Sequence, residues 1–447
     1  MKLTKTQKEF HASRRAELLK RTGKDSLIIV FSNTHHYESY DSSYEFKQNK
    51  NFFYLTGFLE PNAVLLMSSE GIPYTNPDTK KAAKANEILL VQKKDPIMET
   101  WNGRRMGSSN SESTLGIKTA FDNTALSGFL NLLSRPKYRT FYMNIVDALS
   151  VKGDLSSPVS KMLNELQMTA AHSEIIDVTY MIGLMRKKKT DFEIAMLQKA
   201  CDITCDSYKI TIPQIQPGLF EYQVQAMLEF NYKFLGGNDT AYGSIVASGD
   251  NANILHYEEN SMELKKGDLL LIDSAAEYYY YHSDVTRTFP IGGKFSPDQR
   301  LIYSIVLKAN KECIKACKPG VRMSELAELS NKVMFAGLKK AGFKLDPKTF
   351  KQHSIHGVGH GIGLNTHDAI PHSKTSTTDN DLLNVGDVVT IEPGLYFPDG
   401  SKTVDKKYWK IGVRIEDDIL ITKNGNVNLT SSLGKELHEI EEMMAGK

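Results

Sequence analysis

Two aspartates between residues 267 and 290 constrain this chain more than any other feature. The stretch reads GDLLLIDSAAEYYYYHSDVTRTFP: an apolar run ends at Asp273, and a segment rich in aromatic and β-branched residues contains Asp284. Two such runs after a Gly-Asp turn predict a β-hairpin. With the turn placed near Tyr278 and Tyr279, the antiparallel register sets Asp273 directly opposite Asp284.

Opposed carboxylates on neighbouring strands need a partner. Directly opposed residues have Cβ atoms about 5 Å apart, and like charges there destabilise the strand pair. A bound cation removes the repulsion, and two oxygen ligands at this separation could hold a pair of divalent ions. The alternative is a solvated acidic turn, but Asp273 follows four apolar residues, which favours an interior position. The hairpin therefore predicts a metal site.

The same pattern occurs again downstream. GDLLLID at 267–273 is matched by GDVVTIE at 386–392, and a helix, a Pro-Gly and a second helix precede each copy. A pseudo-twofold duplication would bring the carboxylates of two hairpins to one centre. The second hairpin supplies Glu392 and Glu416. Arg414 lies on the same predicted strand face as Glu416, and a surface ion pair is the alternative interpretation of these two residues.

A glycine-rich segment with four histidines, HSIHGVGHGIGLNTHD at 353–368, lies between the two hairpins. Glycines flank His360, so its backbone can approach a ligand closely and bulky neighbours do not enclose its imidazole. This setting favours a functional histidine. The candidate metal ligands are therefore Asp273, Asp284, His360, Glu392 and Glu416.

Four carboxylates and one imidazole indicate a particular kind of metal and reaction. Oxygen-dominated ligation with a single nitrogen suits Mn²⁺, Co²⁺ or Fe²⁺, with Zn²⁺ also acceptable. Two ions bridged by carboxylates lower the pKa of a shared water and provide a nucleophile near neutral pH. The predicted chemistry is metal-assisted hydrolysis.

The length of 447 residues exceeds one ordinary domain. Residues 1–175 alternate helical and strand patterns, which predicts an α/β domain with strands at 26–32, 51–58, 63–67, 87–92 and 139–145. The range 176–190 contains the basic run MRKKK and is predicted to be a solvated linker. A capping box at Thr190 and Glu193 then opens the first helix of a catalytic domain at 191–447.

Charge, hydropathy and cysteine spacing exclude several classes of protein. A formal net charge of +2 without pronounced asymmetry predicts no nucleic-acid partner. No apolar run approaches the roughly 18 residues of a membrane span, and the charged N-terminus lacks a signal-peptide core, so a cytoplasmic protein without membrane contact is expected. The four cysteines fall at helical spacing, which predicts core packing, with a four-thiolate zinc site as the alternative.

The motifs resemble, in order and spacing, those of the pita-bread metallopeptidases, and specifically the aminopeptidase P family. The resemblance rests on NILHYEEN, the first hairpin, HGVGHGIGL, VVTIEPGLYF and GVRIEDDILIT, and on FKQNKNFFYLTGFLEPNAVLL and ETWNGRRMG nearer the N-terminus. It implies an α/β N-terminal domain followed by an α+β pita-bread catalytic domain with pseudo-twofold duplicated halves. It also implies a dinuclear-metal exopeptidase, most often with Mn²⁺, that hydrolyses the Xaa-Pro bond at the N-terminus of peptides and forms a homodimer or homotetramer.

The family implies a role for each matching residue. Asp273 would bind one ion, Asp284 and Glu416 would bridge both, and His360 with Glu392 would hold the second. Glu392 would also carry a proton from the water to the leaving proline nitrogen. Three histidines would hydrogen-bond the substrate or the tetrahedral intermediate: His256, His356 and His367. Four further residues would belong to the substrate pocket or its surroundings: Tyr242, Tyr396, Arg414 and Trp101.

Several alternatives stay open at this point. Gly361 directly follows the ligand histidine, where the family often has a bulky aromatic residue, and 372–378 lacks an expected arginine. Both features are compatible with a prolidase that cleaves only Xaa-Pro dipeptides. A methionine aminopeptidase would not explain the large N-terminal domain, and a creatinase-type enzyme would not need all five ligands. A non-catalytic pita-bread binding protein would be expected to have lost ligands.

Overall fold

The computed structural model describes residues 2–76, 79–133, 138–145, 158–169, 172–368 and 381–446. The chain forms two compact units, Met1–Ile182 and Gly183–Lys447. This division falls inside the range 176–190. That range is not an extended linker, because it contains the end of one strand and a helix, Thr179–Lys187.

The first unit is built on a mixed six-stranded sheet in the order β6-β5-β4-β1-β7-β8. Its strands are β1 (Ser26–Phe31), β2 (Tyr37–Ser39), β3 (Ser42–Ser43), β4 (Val64–Thr75), β5 (Ala82–Val91), β6 (Ala120–Asp122), β7 (Thr140–Met143) and β8 (Glu174–Asp177). Its helices are α1 (Lys5–Arg21), α2 (Lys50–Thr56), α3 (Pro96–Asn102), α4 (Ser111–Leu115), α5 (Leu126–Leu133) and α6 (Pro158–Thr169). Strand β1 is buried along its whole length, as its uninterrupted apolar sequence requires.

The strand predicted at 51–58 is wrong, because these residues form α2. Asn49 caps the helix by accepting a hydrogen bond from the Phe52 amide at 2.9 Å, and Gly57 ends it at a φ of 66°. The six residues 51–56 are all buried, so the sequence shows no amphipathic period. A short apolar run of this kind fits a buried strand as well as a buried helix. The other four predicted strands overlap β1, β4, β5 and β7.

His11 should make the stability of the first unit depend on pH. Its imidazole is fully buried, with Nδ1 3.0 Å from the Tyr54 carbonyl oxygen. Burial, together with nearby Arg15, lowers its pKa from 6.5 to about 4. Between pH 6.5 and pH 4 the unfolded chain therefore binds a proton at His11 and the folded chain does not. The contribution of His11 to the free energy of unfolding is complete above pH 6.5 and is lost as the pH falls toward 4.

We therefore expect the wild type to lose about 3 kcal/mol of unfolding free energy through this group between pH 7 and pH 4. The variant His11→Asn retains a side-chain amide donor but cannot titrate. Urea unfolding of both proteins at each pH measures the difference. An equal acid dependence in the two proteins would exclude His11 as the source.

The second unit repeats one order of elements: two long helices and then short antiparallel strands. Its helices, with α7 (Thr179–Lys187) at the boundary, are α8 (Asp191–Thr211), α9 (Glu221–Phe234), α10 (Pro297–Ala316), α11 (Met323–Lys340), α12 (Pro347–Phe350) and α13 (Leu437–Met444). Its strands are β9 (Asp239–Thr240), β10 (Ile245–Ser248), β11 (Leu269–Asp273), β12 (Ala276–Tyr278), β13 (Tyr281–His282), β14 (Thr286–Pro290), β15 (Val388–Ile391), β16 (Gly394–Phe397), β17 (Ile411–Arg414), β18 (Asp417–Thr422) and β19 (Gly425–Asn428).

Local sequence signals explain where these elements begin. The predicted capping box at Thr190 starts α8, and a second capping box at Ser296 starts α10. Gly267 and Gly386 precede the two matched strands with φ angles of 96° and 93°, a conformation that favours glycine and that both copies share. Across the described part of both units, no helix combines the length and apolarity needed to cross a membrane.

The prediction for the cysteines agrees with the structure, whereas the prediction for the basic run agrees only in part. All four cysteines are free and buried, which confirms the prediction of core packing. The predicted solvation of the basic run holds for the exposed Lys188 but is wrong for Arg186 and Lys189, which are buried. Both pair with the Asp368 carboxylate, Lys189 Nζ lying 3.5 Å from Oδ2. The composition of the run could not reveal this partner, since it comes from a loop far along the chain.

Candidate metal centre

The first hairpin has a different register from the one predicted. Strand β11 pairs with β14 so that Asp273 lies opposite Thr286, and Asp273 does not face Asp284 across the ladder. The turn falls at Tyr279 and Tyr280, whose φ angles are 50° and 66°. Two positive φ angles suit the right-handed twist of a two-residue hairpin turn. Neither position carries the glycine or asparagine that usually marks such a turn, so the predicted turn was displaced.

The two aspartates nevertheless meet, at the hydroxyl of Tyr242. Tyr242 Oη lies 2.6 Å from Oδ1 of Asp273 and 2.6 Å from Oδ1 of Asp284. A hydroxyl has one proton to donate, so the second carboxylate requires a proton or a cation of its own. Both aspartates are at most 9% exposed, so the alternative of a solvated acidic turn is wrong.

The second hairpin reaches the first at Thr286. Glu416 lies between β17 and β18, and its Oε2 accepts a hydrogen bond from Thr286 Oγ1 at 2.6 Å. Arg414 Nη2 lies 2.6 Å from Asp273 Oδ2. Arg414 and Glu416 are 3% and 2% exposed, so the alternative of a surface ion pair is wrong. Carboxylates from two separate hairpins thus share one buried space.

The loop that carries His360 completes this cluster. His360 Nε2 lies 3.4 Å from Asp284 Oδ2 and 3.5 Å from Glu392 Oε1. Ligand atoms of Asp284, His360 and Glu416 all lie within 4.8 Å of one another. The fifth candidate, Asp273, adjoins Asp284 through Tyr242.

Gly359 holds this loop against the second hairpin. The His360 amide donates to Thr390 Oγ1 at 3.0 Å, and the Thr390 amide donates to the His360 carbonyl at 2.8 Å. A Cβ atom on residue 359 would lie 1.9 Å from the Thr390 carbonyl oxygen. Only glycine permits this approach, because the clash would be with backbone.

Replacing Gly359 with alanine should therefore displace His360 from the carboxylates. We expect Mn²⁺ affinity to fall at least about 10-fold, and thermal stability to fall by about 1–3 kcal/mol through overpacking. Calorimetric Mn²⁺ titration and thermal unfolding measure the two effects. Gly357→Ala is the matched control, because a Cβ atom there meets nothing within 4 Å. Equal Mn²⁺ affinity in both variants would contradict the role of Gly359.

Burial and mutual repulsion dominate the electrostatics of the cluster. Burial first, and then neighbouring carboxylates, raise the pKa of Glu416 well above its usual 4.5 and that of Glu392 to about 7. Burial also raises the pKa of Asp273, opposed by Arg414. Burial works against a charged His360, but Asp284 and Glu392 raise its pKa to about 9. Each shift shows that the cluster attracts positive charge.

These residues fit a divalent-metal site. The donors are four carboxylates and one imidazole, the oxygen-rich set preferred by hard and borderline ions. The single proton of Tyr242 between two carboxylates, and the raised carboxyl pKa values, are conflicts that bound cations would relieve. Removal of cations should therefore lower the folding stability of the second unit, and most strongly at high pH, where the carboxyl groups lose their protons.

A cavity of about 510 Å³ opens beside the carboxylates. Its lining includes all five candidate ligands together with Tyr242, His256, Glu258, His356, His367 and Arg414. His356 Nε2 lies 2.8 Å from Tyr396 Oη, and Tyr396 also accepts a hydrogen bond from Arg414 Nη1 at 2.9 Å. The rings of His360 and His367 have centroids 4.3 Å apart.

Two other predicted features are not part of this cavity lining. His353, the remaining histidine of the glycine-rich segment, is buried, and its Nδ1 lies 2.7 Å from the Tyr396 carbonyl oxygen, which makes it structural. Trp101 is on α3 of the first unit and is 77% exposed. Its role at the site stays a prediction. The range 372–378 lies outside the described residues.

Asp418 was not among the predicted site residues, although it holds the segment that carries Asp284. Its Oδ2 accepts hydrogen bonds from the Asp284 amide at 3.0 Å and from Ser283 Oγ at 2.9 Å. Burial and the nearby Asp284 carboxylate raise its pKa to about 7. The signal was the EDD run at 416–418, whose third acidic residue falls inside an apolar strand. Alternation alone could not show that it binds the first hairpin.

Comparison with known proteins agrees with both units. Residues 11–142 match the aminopeptidase P N-terminal domain, and residues 195–423 match metallopeptidase family M24. A Haemophilus influenzae Xaa-Pro aminopeptidase is 33% identical over 99% of this chain and 98% of its own length. The Pseudomonas aeruginosa aminopeptidase PepP structure has a TM-score of 0.88 and 31% identity, covering 98% of each chain.

A zinc-substituted Escherichia coli aminopeptidase P in complex with product gives a TM-score of 0.87 at 31% identity and covers 100% of both chains. The similarity therefore extends over both units and includes a zinc-substituted enzyme. The two-domain architecture with a pita-bread second domain is confirmed. This chain belongs to metallopeptidase family M24, within its aminopeptidase P group.

Proposed function

We propose that this protein is a dinuclear-metal Xaa-Pro aminopeptidase that removes the first residue from peptides with proline in the second position. The observation that carries the proposal is the convergence of Asp284, His360 and Glu416 within 4.8 Å beside an open cavity. The name Xaa-Pro aminopeptidase, borne by relatives that match this chain from end to end, supports the substrate class. Those names do not favour the prolidase alternative.

The metal ligands are assigned as the sequence predicts. Asp273 would bind one ion, Asp284 and Glu416 would bridge both, and His360 with Glu392 would bind the other. The oxygen-rich donor set supports Mn²⁺. Bound ions would supply an activated water at neutral pH and Lewis acidity toward the peptide carbonyl.

The chain's own side chains would move the proton and orient the substrate. Glu392, whose carboxyl pKa is raised to about 7, can take a proton from water and deliver it to the proline nitrogen as the C–N bond breaks. The products are a free amino acid and a peptide that begins with proline. His356, held at Tyr396, and the cavity residues His256 and His367 supply hydrogen bonds to the developing oxyanion.

Arg414 is proposed to position groups on both sides of the reacting bond. It joins Asp273 to Tyr396, and Tyr396 in turn contacts His356. A dedicated pocket is needed for this substrate, because proline lacks an N–H and its ring restricts the backbone. Tyr242, Tyr396, Arg414 and Trp101 remain the proposed pocket residues. The proposal also includes that the protein forms a homodimer or homotetramer and acts in the cytoplasm.

Hydrolysis of Ala-Pro-Ala beside Ala-Pro, by protein stripped of metal and reloaded with Mn²⁺, tests the proposed function. We expect metal-dependent release of alanine from the tripeptide. Activity confined to the dipeptide would favour a prolidase. Absence of hydrolysis despite bound Mn²⁺ would contradict both enzymatic functions and favour a non-catalytic binding protein.

A further inference from the structure

Glu258 is an acidic residue of the cavity that has no part in the metal site. It lines the cavity beside Leu255 and His256. A Cβ atom added to Gly243 would lie 3.5 Å from both the Cδ and Oε1 atoms of Glu258. The carboxyl group therefore packs near the backbone next to Tyr242, whose hydroxyl contacts Asp273 and Asp284.

The charge of Glu258 has no counterpart among the described side chains. Apart from the histidines, the cationic side chain that lines the cavity is Arg414, which pairs with Asp273. No described lysine, arginine or histidine forms an ion pair with Glu258. Two divalent ions would offset the four ligand carboxylates, and Glu258 remains a carboxylate on the cavity wall without a cationic side chain paired to it.

The position of Glu258 indicates which part of a peptide it would face. The proposed proton carrier Glu392 lies with His356 on one side, His356 Nδ1 being 3.5 Å from Glu392 Oε2. The leaving proline belongs on that side. Glu258 packs beside the backbone next to Tyr242, whose hydroxyl contacts Asp273, and the residue before proline would lie there.

We propose that Glu258 gives the enzyme a preference for Xaa-Pro peptides whose first residue carries a cationic side chain, lysine or arginine. This inference rests on the proposed function. A lysine side chain is long and flexible and places a compact charge beyond its backbone, so it can reach a carboxylate on the cavity wall. Because Glu258 is exposed to solvent, the preference should be modest and should weaken with salt.

The test compares kcat/KM for two pairs of tripeptides with Mn²⁺-loaded protein. The first pair, Lys-Pro-Ala and norleucine-Pro-Ala, differs in charge before proline; the second pair, Ala-Pro-Lys and Ala-Pro-norleucine, differs after it. We expect the wild type to favour lysine over norleucine in the first pair. Glu258→Gln should reduce that ratio about threefold, as should high salt. The control Glu259→Gln changes the neighbouring exposed residue, which does not line the cavity, and should keep the wild-type ratio.

Two results would overturn the inference while leaving the proposed function intact. One is a lysine-to-norleucine ratio that Glu258→Gln and Glu259→Gln leave equal to that of the wild type. The other is a change confined to the second pair, which would place Glu258 on the leaving side. If the wild type cleaves none of the four peptides, the proposed function itself fails, and this inference fails with it.

Discussion

Replacing Glu392 with glutamine is expected to lower kcat for Xaa-Pro hydrolysis about 10³-fold without lowering thermal stability. The carboxyl group follows β15, its pKa is raised to about 7, and His360 Nε2 is 3.5 Å from its Oε1. A general acid–base group typically contributes 10²- to 10⁴-fold to a rate, most effectively when its pKa is near the working pH. Glutamine keeps the shape and removes the titrating group.

Steady-state kinetics on Ala-Pro-Ala, together with thermal unfolding, separates loss of chemistry from loss of structure. Glu259→Gln serves as the isosteric control away from the lining and should retain wild-type kcat. The proton-carrying role of Glu392 would be excluded by a Glu392→Gln variant that keeps more than about a tenth of wild-type kcat with both ions bound.

The second large effect concerns the metal-free protein. Glu416 is 2% exposed, and burial and three neighbouring carboxylates raise its pKa well above 4.5. The folded state therefore holds a proton that the unfolded chain releases above pH 4.5. Stability of the metal-free protein must fall as the pH rises from 4.5 toward the folded-state pKa. Glu392, with its pKa raised from 4.5 to about 7, acts in the same direction.

Glu416→Gln should consequently stabilise the metal-free protein at pH 7 by about 1–2 kcal/mol while greatly weakening Mn²⁺ binding. Thermal unfolding in a chelator at pH 5 and pH 7 measures the stability gain, which should shrink at the lower pH. Adding Mn²⁺ should raise the melting temperature of the wild type far more than that of the variant. A variant less stable than the wild type at pH 7 in chelator would show that the carboxylates do not repel one another.

The sequence was most informative where a carboxylate ends an apolar strand. Asp273 and Glu392 follow apolar runs that must be buried, and an acidic group in such a place requires a partner. The matched GDLLLID and GDVVTIE stretches predicted two facing hairpins, and the structure brings them together at Thr286. The glycines around His360 likewise predicted a close backbone approach, which occurs at Thr390.

Features that depend on distant partners could not be predicted. Arg186 and Lys189 are buried because they pair with Asp368, a residue far along the chain that the local sequence does not reveal. The helix at 51–56 is buried on all sides, so its sequence shows no amphipathic period that would distinguish it from a strand. The hairpin register was displaced by two residues because two tyrosines adopt positive φ angles without a turn-forming residue. Side chains alternate between the two faces of a strand, so a register displaced by two residues leaves each side chain on the predicted face. The prediction of Asp273 and Asp284 as metal ligands therefore did not depend on the predicted register.

The proposed metal centre is tested by titrating metal-free protein with Mn²⁺ while following the ions bound per chain and Ala-Pro-Ala hydrolysis in the same samples. We predict that two ions bind per chain in the wild type and that hydrolysis reaches its maximum when both sites are filled. Asp284→Asn, which changes a ligand shared by both proposed ions, should lower binding and hydrolysis together. Full hydrolysis in the thoroughly metal-free wild type, or unchanged binding of two ions by Asp284→Asn, would contradict the proposed metal centre.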